Sequence, residues 1–206
     1  MSRFVVTGTG TGIGKSIFSA ALTGALRAHY WKPIQSGLEE ETDSELVVRL
    51  SGIPATQIVP ETYRLALPAS PHLSAEAEGV VIDVDALVVP PHCPLVIEGA
   101  GGVLVPLTRT VLSADLFARW QVPVILVATT QLGTISHSLS AIEALKARNV
   151  PIHGIAFVGD AHPDNEAIIP ALSGVRRLGR LPMIDPLTAD SLARAFAAHF
   201  NLADFA

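Results

Sequence analysis

The stretch of sequence that decides the fold is Phe4-Val5-Val6-Thr7-Gly8-Thr9-Gly10-Thr11-Gly12-Ile13-Gly14-Lys15-Ser16. Its apolar start, Phe4–Thr7, predicts a buried strand, and apolar residues at helical spacing follow from Lys15 to His29. The alternate glycines between strand and helix let the backbone turn sharply and aim its N–H groups at one point. The start of a helix adds a partial positive charge there. The segment therefore predicts a binding site for phosphate or another anion.

The last two residues of this segment strengthen that prediction. A lysine at position 15 can reach the β- and γ-phosphate oxygens of a nucleotide, and the Ser16 hydroxyl can bind Mg²⁺. In the usual phosphate-loop pattern the first glycine lies five residues before the glycine of Gly-Lys-Ser; here that position is Thr9, and Gly8 lies one residue further back. We interpret the segment as a phosphate loop that is one residue longer than the common pattern.

Two other glycine-rich turns fit less well. The dinucleotide-binding pattern Gly-x-Gly-x-x-Gly fails, because its last position falls on Ile13 or Lys15. Short-chain dehydrogenases share the turn Thr-Gly-x-x-x-Gly-x-Gly, which residues 7–14 satisfy, but they also need a Tyr-x-x-x-Lys pair. The two tyrosines are followed four residues later by Ile34 and Leu67, so that pair is absent. A glycine turn with a structural role only remains the other alternative.

Composition limits the class of protein. The 206 residues match one domain, which we place over 1–206, and 49% hydrophobic with 16% charged residues excludes a disordered chain. A net charge of −5 argues against a broadly basic nucleic-acid binder. The lone Cys93 cannot form an internal disulfide, and neither a signal segment nor an apolar run of membrane-spanning length is apparent. We expect a cytoplasmic protein that binds neither nucleic acid nor membrane.

Strand-like and helix-like segments alternate along the chain. Short apolar runs bounded by Gly or Pro predict four more strands: Leu95–Glu98, Val122–Ala128, Ile152–Val158 and Val175–Leu181. Apolar spacing and end signals predict five helices: Lys15–His29, Asp43–Leu50, Asp83–Val88, Thr134–Asn149 and Leu187–Phe200, the last opening at Thr188. This order predicts an α/β fold of the P-loop NTPase type, with a mostly parallel sheet, helices on both faces and ligands at the carboxyl ends of the strands.

Two further charged residues are candidates for chemistry. Of 14 basic residues only three are lysine, and Lys32 lies in a Gly- and Pro-punctuated segment rather than on a helix face. A solvated loop cation is the usual interpretation of such a lysine, but the surrounding segment, residues 30–37, argues against it. A compact ammonium there could lie opposite Lys15 across a transferring phosphoryl group. Glu98 ends a predicted strand and precedes Gly99–Gly102; such a carboxylate commonly holds Mg²⁺ in phosphate-loop folds, or it simply ends the strand.

Six segments, in this order, together resemble the dethiobiotin synthetase family: Gly8–Ser16, Lys32–Gly37, Asp43, Pro68–His72, Glu98–Gly102 and Leu132–His137. They span the first two-thirds of the chain, and the long phosphate loop and Lys-Pro-x-x-Ser-Gly are the most specific among them. The resemblance implies an ATP- and Mg²⁺-dependent cyclo-ligase of biotin synthesis that acts as a homodimer. In that family 7,8-diaminononanoate takes up CO2 as a carbamate, the carbamate attacks the γ-phosphate, and the second amine closes the ureido ring and releases phosphate.

The same resemblance implies roles for individual residues. Catalysis would fall to Lys15, Lys32 and Thr11, and Mg²⁺ to Ser16, Asp43 and Glu98, which singles Asp43 out from its acidic neighbours. The substrate would be bound by Thr11, Lys32, Ser36, Gly101, Gly102 and Ser136. The nucleotide would be bound by Gly12, Ile13, Gly14, Lys15, Ser16, Ile17, Asp43, Glu98, Gly99, Ala100, Gly101, Gly159, Asp160, Leu181, Pro182 and Met183.

The chain departs from the family pattern at several of these positions. Gly10 and Gly12 stand where relatives often carry acids or other polar residues, and Ser136 replaces an asparagine that helps to hold the substrate carboxylate across the dimer. Gly159 replaces an asparagine that reads the adenine edge, so we expect loose nucleotide selection through backbone groups near Gly159 and Leu181–Met183. Another ligase on the same scaffold is the nearest alternative. A partitioning ATPase, the other one, usually carries an additional lysine early in the loop, which this chain lacks.

Overall fold

Residues 2–206, which the computed structural model describes, form nine strands and seven helices. The strands are β1 (Arg3–Gly8), β2 (His29–Trp31), β3 (Ile34–Ser36), β4 (Ile58–Val59), β5 (Tyr63–Leu65), β6 (Leu95–Gly102), β7 (Val124–Thr129), β8 (Ile152–Val158) and β9 (Arg177–Leu181). The helices are α1 (Lys15–Leu26), α2 (Asp43–Ser51), α3 (Pro71–Ala77), α4 (Ser113–Trp120), α5 (Thr134–Lys146), α6 (Pro163–Ser173) and α7 (Ala189–His199).

Seven of the strands form one sheet in the order β4-β2-β6-β1-β7-β8-β9, and every neighbouring pair in it is parallel. Strands β3 and β5 pair separately, also in parallel. Because all strands of the large sheet run the same way, their carboxyl ends meet at one edge. Residues that follow different strands in the sequence are thereby brought together at that edge.

The two faces of the sheet bury separate apolar cores. Successive side chains of a strand point to opposite faces, so Phe4 and Val6 belong to one core and Val5 to the other. The first core packs against α1, α2 and α7, and the second against α4, α5 and α6. The predicted fold class, a mostly parallel sheet with helices on both faces, is therefore confirmed, as is the N-terminal cap of the last helix at Thr188, whose hydroxyl accepts a hydrogen bond from the Ser191 N–H.

The predicted helix over Lys15–His29 was too long. The helix ends at Leu26, because Arg27 adopts a left-handed backbone conformation with φ of 48° and the next N–H, that of Ala28, bonds back to the Thr23 carbonyl. His29–Trp31 then forms β2 between β4 and β6. The apolar periodicity of the helix continued into the strand, so it gave no sign of the break.

The predicted helix over Asp83–Val88 was wrong. Those residues make only a turn, in which the Asp83 carboxylate accepts from the N–H of Asp85 and the N–H of Leu87 bonds to the carbonyl of Val84. Leu87 is 2% exposed and anchors this segment in the small core beneath β3 and β5. None of the five predicted helices covers α3, α4 or α6, and none of the predicted strands covers β2, β3, β4 or β5. No helix in residues 2–206 is long and apolar enough to cross a membrane.

Candidate active site

The candidate site lies where β2, β6 and β1 end side by side. The glycine loop follows β1, Lys32 comes directly after β2, and Glu98 is the fourth of the eight residues of β6, in register with Val6. Asp43 is the first residue of α2. Four segments that are distant in sequence therefore contribute to one site because the strand order places them next to each other.

These segments line a cleft of about 630 Å³, called here the main cleft. Thirteen of the residues predicted for the site contribute to its walls: Thr11, Gly12, Ile13, Gly14, Lys15, Ser16, Ile17, Lys32, Ser36, Asp43, Glu98, Ala100 and Gly101. The Ser36 hydroxyl oxygen is buried and has no hydrogen-bond partner within residues 2–206. An unpartnered buried polar group costs about 1–3 kcal/mol, so this hydroxyl is suited to a polar group of a ligand.

A buried ionic cluster forms the floor of the main cleft. The Lys32 ammonium lies 2.7 Å from Asp43 Oδ2 and 3.1 Å from Glu98 Oε1. Lys32 is 4% exposed and Glu98 fully buried. The Ser16 hydroxyl lies 2.5 Å from Asp43 Oδ1 and 2.8 Å from Glu98 Oε1. One lysine, two carboxylates and one hydroxyl thus meet within hydrogen-bonding distance at the end of the glycine loop.

The two lysines of the cleft differ in their electrostatic environment. Burial alone would lower the pKa of Lys32, but Glu98 and Asp43 outweigh it and raise that pKa above 10.5, so the ammonium is charged at neutral pH. Burial lowers the pKa of Lys15 below 10.5; the charges of Glu98 and Asp43 oppose this shift only in part, and the charge of Lys32 adds to it. For Asp43, burial is outweighed by Lys32 and Ser16, which hold its pKa below 3.8. Lys15 is therefore the less compensated cation and the better receptor for an anion.

The glycine loop fixes the position of Lys15. Gly14 caps α1 with φ of 90°, and a Cβ there would lie 2.8 Å from a methyl of Val158, so only glycine fits. The Lys15 ammonium donates a 2.6 Å hydrogen bond to the Gly10 carbonyl, which keeps its charge over the loop. The first N–H groups of the helix have no acceptor within it. The loop thus presents free donors and a cation to the same region.

The oxygen atoms around Ser16 fit a divalent cation. A hydroxyl has one proton and can donate it to only one carboxylate, yet Ser16 Oγ contacts both Asp43 and Glu98. The Lys32 ammonium supplies positive charge beside the second oxygen–oxygen contact. Hydroxyl and carboxylate oxygens are also the ligands that Mg²⁺ prefers. Residues 2–206 contain no cluster of three His, Cys, Asp or Glu able to hold a metal alone. Water and phosphate oxygens would have to complete the metal's shell.

A second cleft of about 260 Å³, called here the side cleft, adjoins the main cleft through Gly12–Gly14 and Ile17. It lies at the carboxyl ends of β7, β8 and β9 and is lined by Gly159, Leu181, Pro182 and Met183 as well as by other, mostly apolar side chains. The glycine loop therefore separates two clefts, one charged and one largely apolar. A nucleotide needs this combination for its phosphates and its base.

Four predicted site residues lie outside both clefts. Ser136 is exposed on α5, and Asp160 is exposed beyond the end of β8. Gly102 packs behind the loop, where an added Cβ would lie 3.4 Å from the Gly8 carbonyl oxygen, and Gly99 packs on Phe117. These glycines support the loop and the sheet from behind.

Sequence reasoning missed Tyr30 as part of the site. Its hydroxyl donates a 3.1 Å hydrogen bond to Glu98 Oε2, and both side chains are fully buried. Burial raises the pKa of Tyr30 well above 10.0, and the Glu98 charge adds to this, so the phenol stays protonated and able to donate. Tyr30 and Lys32 lie two positions apart and therefore share one side of the extended chain. This two-residue spacing from Lys32 is the feature of the sequence that could have indicated Tyr30 as part of the site.

Replacing Tyr30 with phenylalanine removes this hydroxyl while keeping the ring. We expect the change to lower the free energy of unfolding by about 1–3 kcal/mol, because one oxygen of a buried carboxylate then lacks its donor. Tyr63→Phe is the matched control, since its hydroxyl bonds Asp83 in a partly exposed position. Urea unfolding of both variants measures the effect. A Tyr30→Phe loss no larger than that of Tyr63→Phe would contradict this role.

Comparison with solved structures supports the fold. The chain matches the MinC:MinD cell division protein complex from Aquifex aeolicus with a TM-score of 0.58 and 12% identity, covering 95% of this chain and 86% of the other. It matches a ParA family ATPase from Chlorobium tepidum with a TM-score of 0.53 and 12% identity, covering 97% and 98%. At this identity the similarity establishes the fold alone.

Sequence relatives are much more similar. The family described as AAA domain matches residues 2–191. An ATP-dependent dethiobiotin synthetase BioD from Sphingopyxis alaskensis is 64% identical over 205 residues, which covers 100% of both chains. The protein of the same name from Novosphingobium aromaticivorans is 61% identical over 206 residues, again covering 100% of both. With a phosphate loop, a buried Lys-Asp-Glu cluster and end-to-end similarity of this degree, the chain belongs to the ATP-dependent dethiobiotin synthetase family.

Proposed function

We propose that this ATP-dependent ligase of biotin biosynthesis closes the ureido ring of dethiobiotin through a carbamate and a mixed carbamic–phosphoric anhydride. The substrates are 7,8-diaminononanoate, CO2 and ATP, and the products are dethiobiotin, ADP and phosphate. The observation that carries the proposal is the pair of buried lysines, Lys15 and Lys32, in one cleft beside the glycine loop. Two cations in one cleft are suited to bringing two anions, a carbamate and a triphosphate, into reacting distance.

The nucleotide phosphates would lie on the loop. The free N–H groups of Gly12–Ser16 and the Lys15 ammonium would bind the β- and γ-phosphates, while the base enters the side cleft beside Leu181–Met183. Ser16, Asp43 and Glu98 would hold Mg²⁺, and the oxygen contacts around Ser16 support this assignment. When bound, the metal supplies positive charge beside the phosphate oxygens. Asp43 and Glu98 have the further task of holding Lys32 in place.

The diamine would occupy the main cleft. One amine takes up CO2 and loses a proton, which gives a carbamate that Thr11, Ser36 and the Gly101 backbone orient, with Lys32 facing its charge. A carbamate oxygen then attacks the γ-phosphorus, and ADP leaves. The second amine attacks the carbamoyl carbon of the anhydride, and phosphate leaves with the bridging oxygen. Lys32 and Lys15 would stabilise the charge on the transferring phosphoryl group, where positioning and charge matter more than a general base.

We propose a cytoplasmic homodimer as the working unit, because the co-substrate ATP is supplied in the cytoplasm and because Ser136, outside both clefts, would face a partner's substrate. Leu132, in the loop just before α5, is fully exposed and supports the same contact. A dimer should appear as twice the chain mass by light scattering. A monomer that is fully active at the same concentration would exclude the shared site.

The reaction is tested by incubating the protein with diaminononanoate, bicarbonate, Mg²⁺ and ATP and measuring dethiobiotin and ADP by mass spectrometry. We expect one ADP for each dethiobiotin and almost no ADP without the diamine. ATP hydrolysis at the same rate with and without the diamine would instead indicate a nucleotide-dependent switch. Turnover of a different diamine or of an amino acid would indicate another ligase on this scaffold.

A further inference from the structure

The side cleft contains few groups able to recognise a nucleotide base. Its lining is mainly apolar, with Ile13, Ile17, Val158 and Leu187 among its walls. Such walls can enclose a flat ring but cannot distinguish one base from another. The polar side chains among the described residues that line it are Thr129 and Gln131. Base recognition in this cleft therefore depends on these two residues and on the backbone.

The backbone groups of Gly159 are already engaged in hydrogen bonds within the chain and are not available to a base. The N–H of Gly159 donates to the Leu181 carbonyl at 3.0 Å, and its own carbonyl accepts a 2.8 Å hydrogen bond from the Arg180 guanidinium. Buried Glu166 pairs with that guanidinium at 3.3 Å and keeps it in place. Gly159 has φ of 132°, and an added Cβ would lie 2.6 Å from Thr130 Oγ1, so the position excludes a side chain. Gly159 therefore shapes the wall of the cleft.

Gln131 has the opposite properties. It follows β7, lines the side cleft and is exposed, so its amide lies at the rim. No hydrogen bond engages this amide within the described part of the chain, residues 2–206. An amide carries a donor and an acceptor side by side and can pair with the edge of adenine. Rotated by half a turn, it offers the same two groups in exchanged positions and can pair with other bases.

We propose that Gln131 is the specificity-determining residue for the nucleotide base, in place of a side chain at position 159. The inference rests on the proposed function, in which the side cleft takes the base of the nucleotide. Because the amide is exposed and can rotate, the preference for ATP over CTP and GTP is modest. Thr129 lines the cleft but offers only a hydroxyl, which can donate and accept at any edge.

Two variants test this by calorimetric titration with ATP, CTP, GTP and inorganic tripolyphosphate. In Gln131→Leu we expect ATP binding to weaken about 3- to 10-fold and the three nucleotides to bind alike, while tripolyphosphate binding stays unchanged. In Gln131→Glu a carboxylate, which only accepts hydrogen bonds, faces the base. Because guanine offers two adjacent donors, we expect the affinity for GTP to rise relative to the affinity for ATP. Gln57→Leu, whose amide bonds the Arg27 carbonyl away from the cleft, is the control.

The tripolyphosphate titration distinguishes failure of the inference about Gln131 from failure of the proposed phosphate site. If Gln131→Leu keeps the wild-type ratios among the three nucleotides, Gln131 does not read the base, and the inference is overturned while the phosphate site stands. If the wild-type chain binds ATP but not tripolyphosphate, or prefers ATP by a thousandfold, the assignment of weak base recognition fails. If it binds neither, the proposed phosphate loop fails as well.

Discussion

Lys32→Ala is expected to lower kcat by about two to four orders of magnitude while the dissociation constant of ATP stays within about threefold of the wild-type value. The reason is the proposed position of Lys32, which faces the charge that develops during phosphoryl transfer. The nucleotide itself is bound by the loop and by Lys15, which the substitution leaves intact. An interaction made mainly in the transition state changes turnover rather than binding.

The cluster around Lys32 requires a control for stability. Lys32 bridges Asp43 and Glu98, so its removal leaves two carboxylates without their shared cation. Lys146→Ala is the comparison variant: Lys146 is more exposed than Lys32, but its ammonium also donates a hydrogen bond, to the Ser173 carbonyl far from the site. It should lose stability without losing turnover. Circular dichroism checks that the Lys32→Ala enzyme is folded. If its affinity for ATP then falls by as large a factor as its kcat, the proposed role of Lys32 in the transition state is contradicted.

Glu98→Gln is expected to raise the Mg²⁺ concentration needed for half-maximal rate by at least about tenfold and to lower kcat by about two to three orders of magnitude. The side chain keeps its shape but loses its charge. Glu98 Oε1 contacts both the Ser16 hydroxyl and the Lys32 ammonium, so one neutral substitution weakens the metal site and the cation together. Initial rates over a Mg²⁺ series measure the effect on activity.

The effect on metal binding can be measured apart from turnover. Mn²⁺ binding followed by electron paramagnetic resonance, with ADP and without diamine, should weaken in Glu98→Gln. Glu41→Gln removes a carboxylate from the same end of the molecule, where Glu41 forms a surface pair with Arg49, and it should leave both measurements unchanged. Unaltered Mn²⁺ affinity in Glu98→Gln would mean that Glu98 serves Lys32 alone.

The sequence could predict those parts of the site that are determined by residues close together in the chain. The glycine loop and Lys15 were predictable because the loop, the cation and the helix start are consecutive residues. Glu98 was predictable because it ends an apolar run before a cluster of glycines; the predicted end of the strand at Glu98 was wrong, because β6 continues to Gly102. Lys32 could be singled out because the chain uses arginine nearly everywhere else. Lys15, Lys32, Glu98 and the second half of the loop, residues 11–16, line the main cleft.

Other features depend on tertiary contacts and left little trace in the sequence. The strand His29–Trp31 continues the apolar pattern of α1, and only its place between β4 and β6 separates the two. The contact of Tyr30 with Glu98 joins residues 68 positions apart. Gly159 was recognised as a departure from the family, but its hydrogen bonds to Leu181 and Arg180 become visible only when β8 and β9 are paired.

The central claim is that a carbamate oxygen takes the γ-phosphoryl group of ATP in the main cleft, and oxygen labelling tests it most directly. The enzyme is mixed with diaminononanoate, Mg-ATP and freshly dissolved C18O2, stopped before the label exchanges with water, and the released phosphate is analysed by mass spectrometry. The account predicts one 18O atom in each phosphate and one in the ureido carbonyl of dethiobiotin. Unlabelled phosphate formed together with labelled dethiobiotin would contradict it.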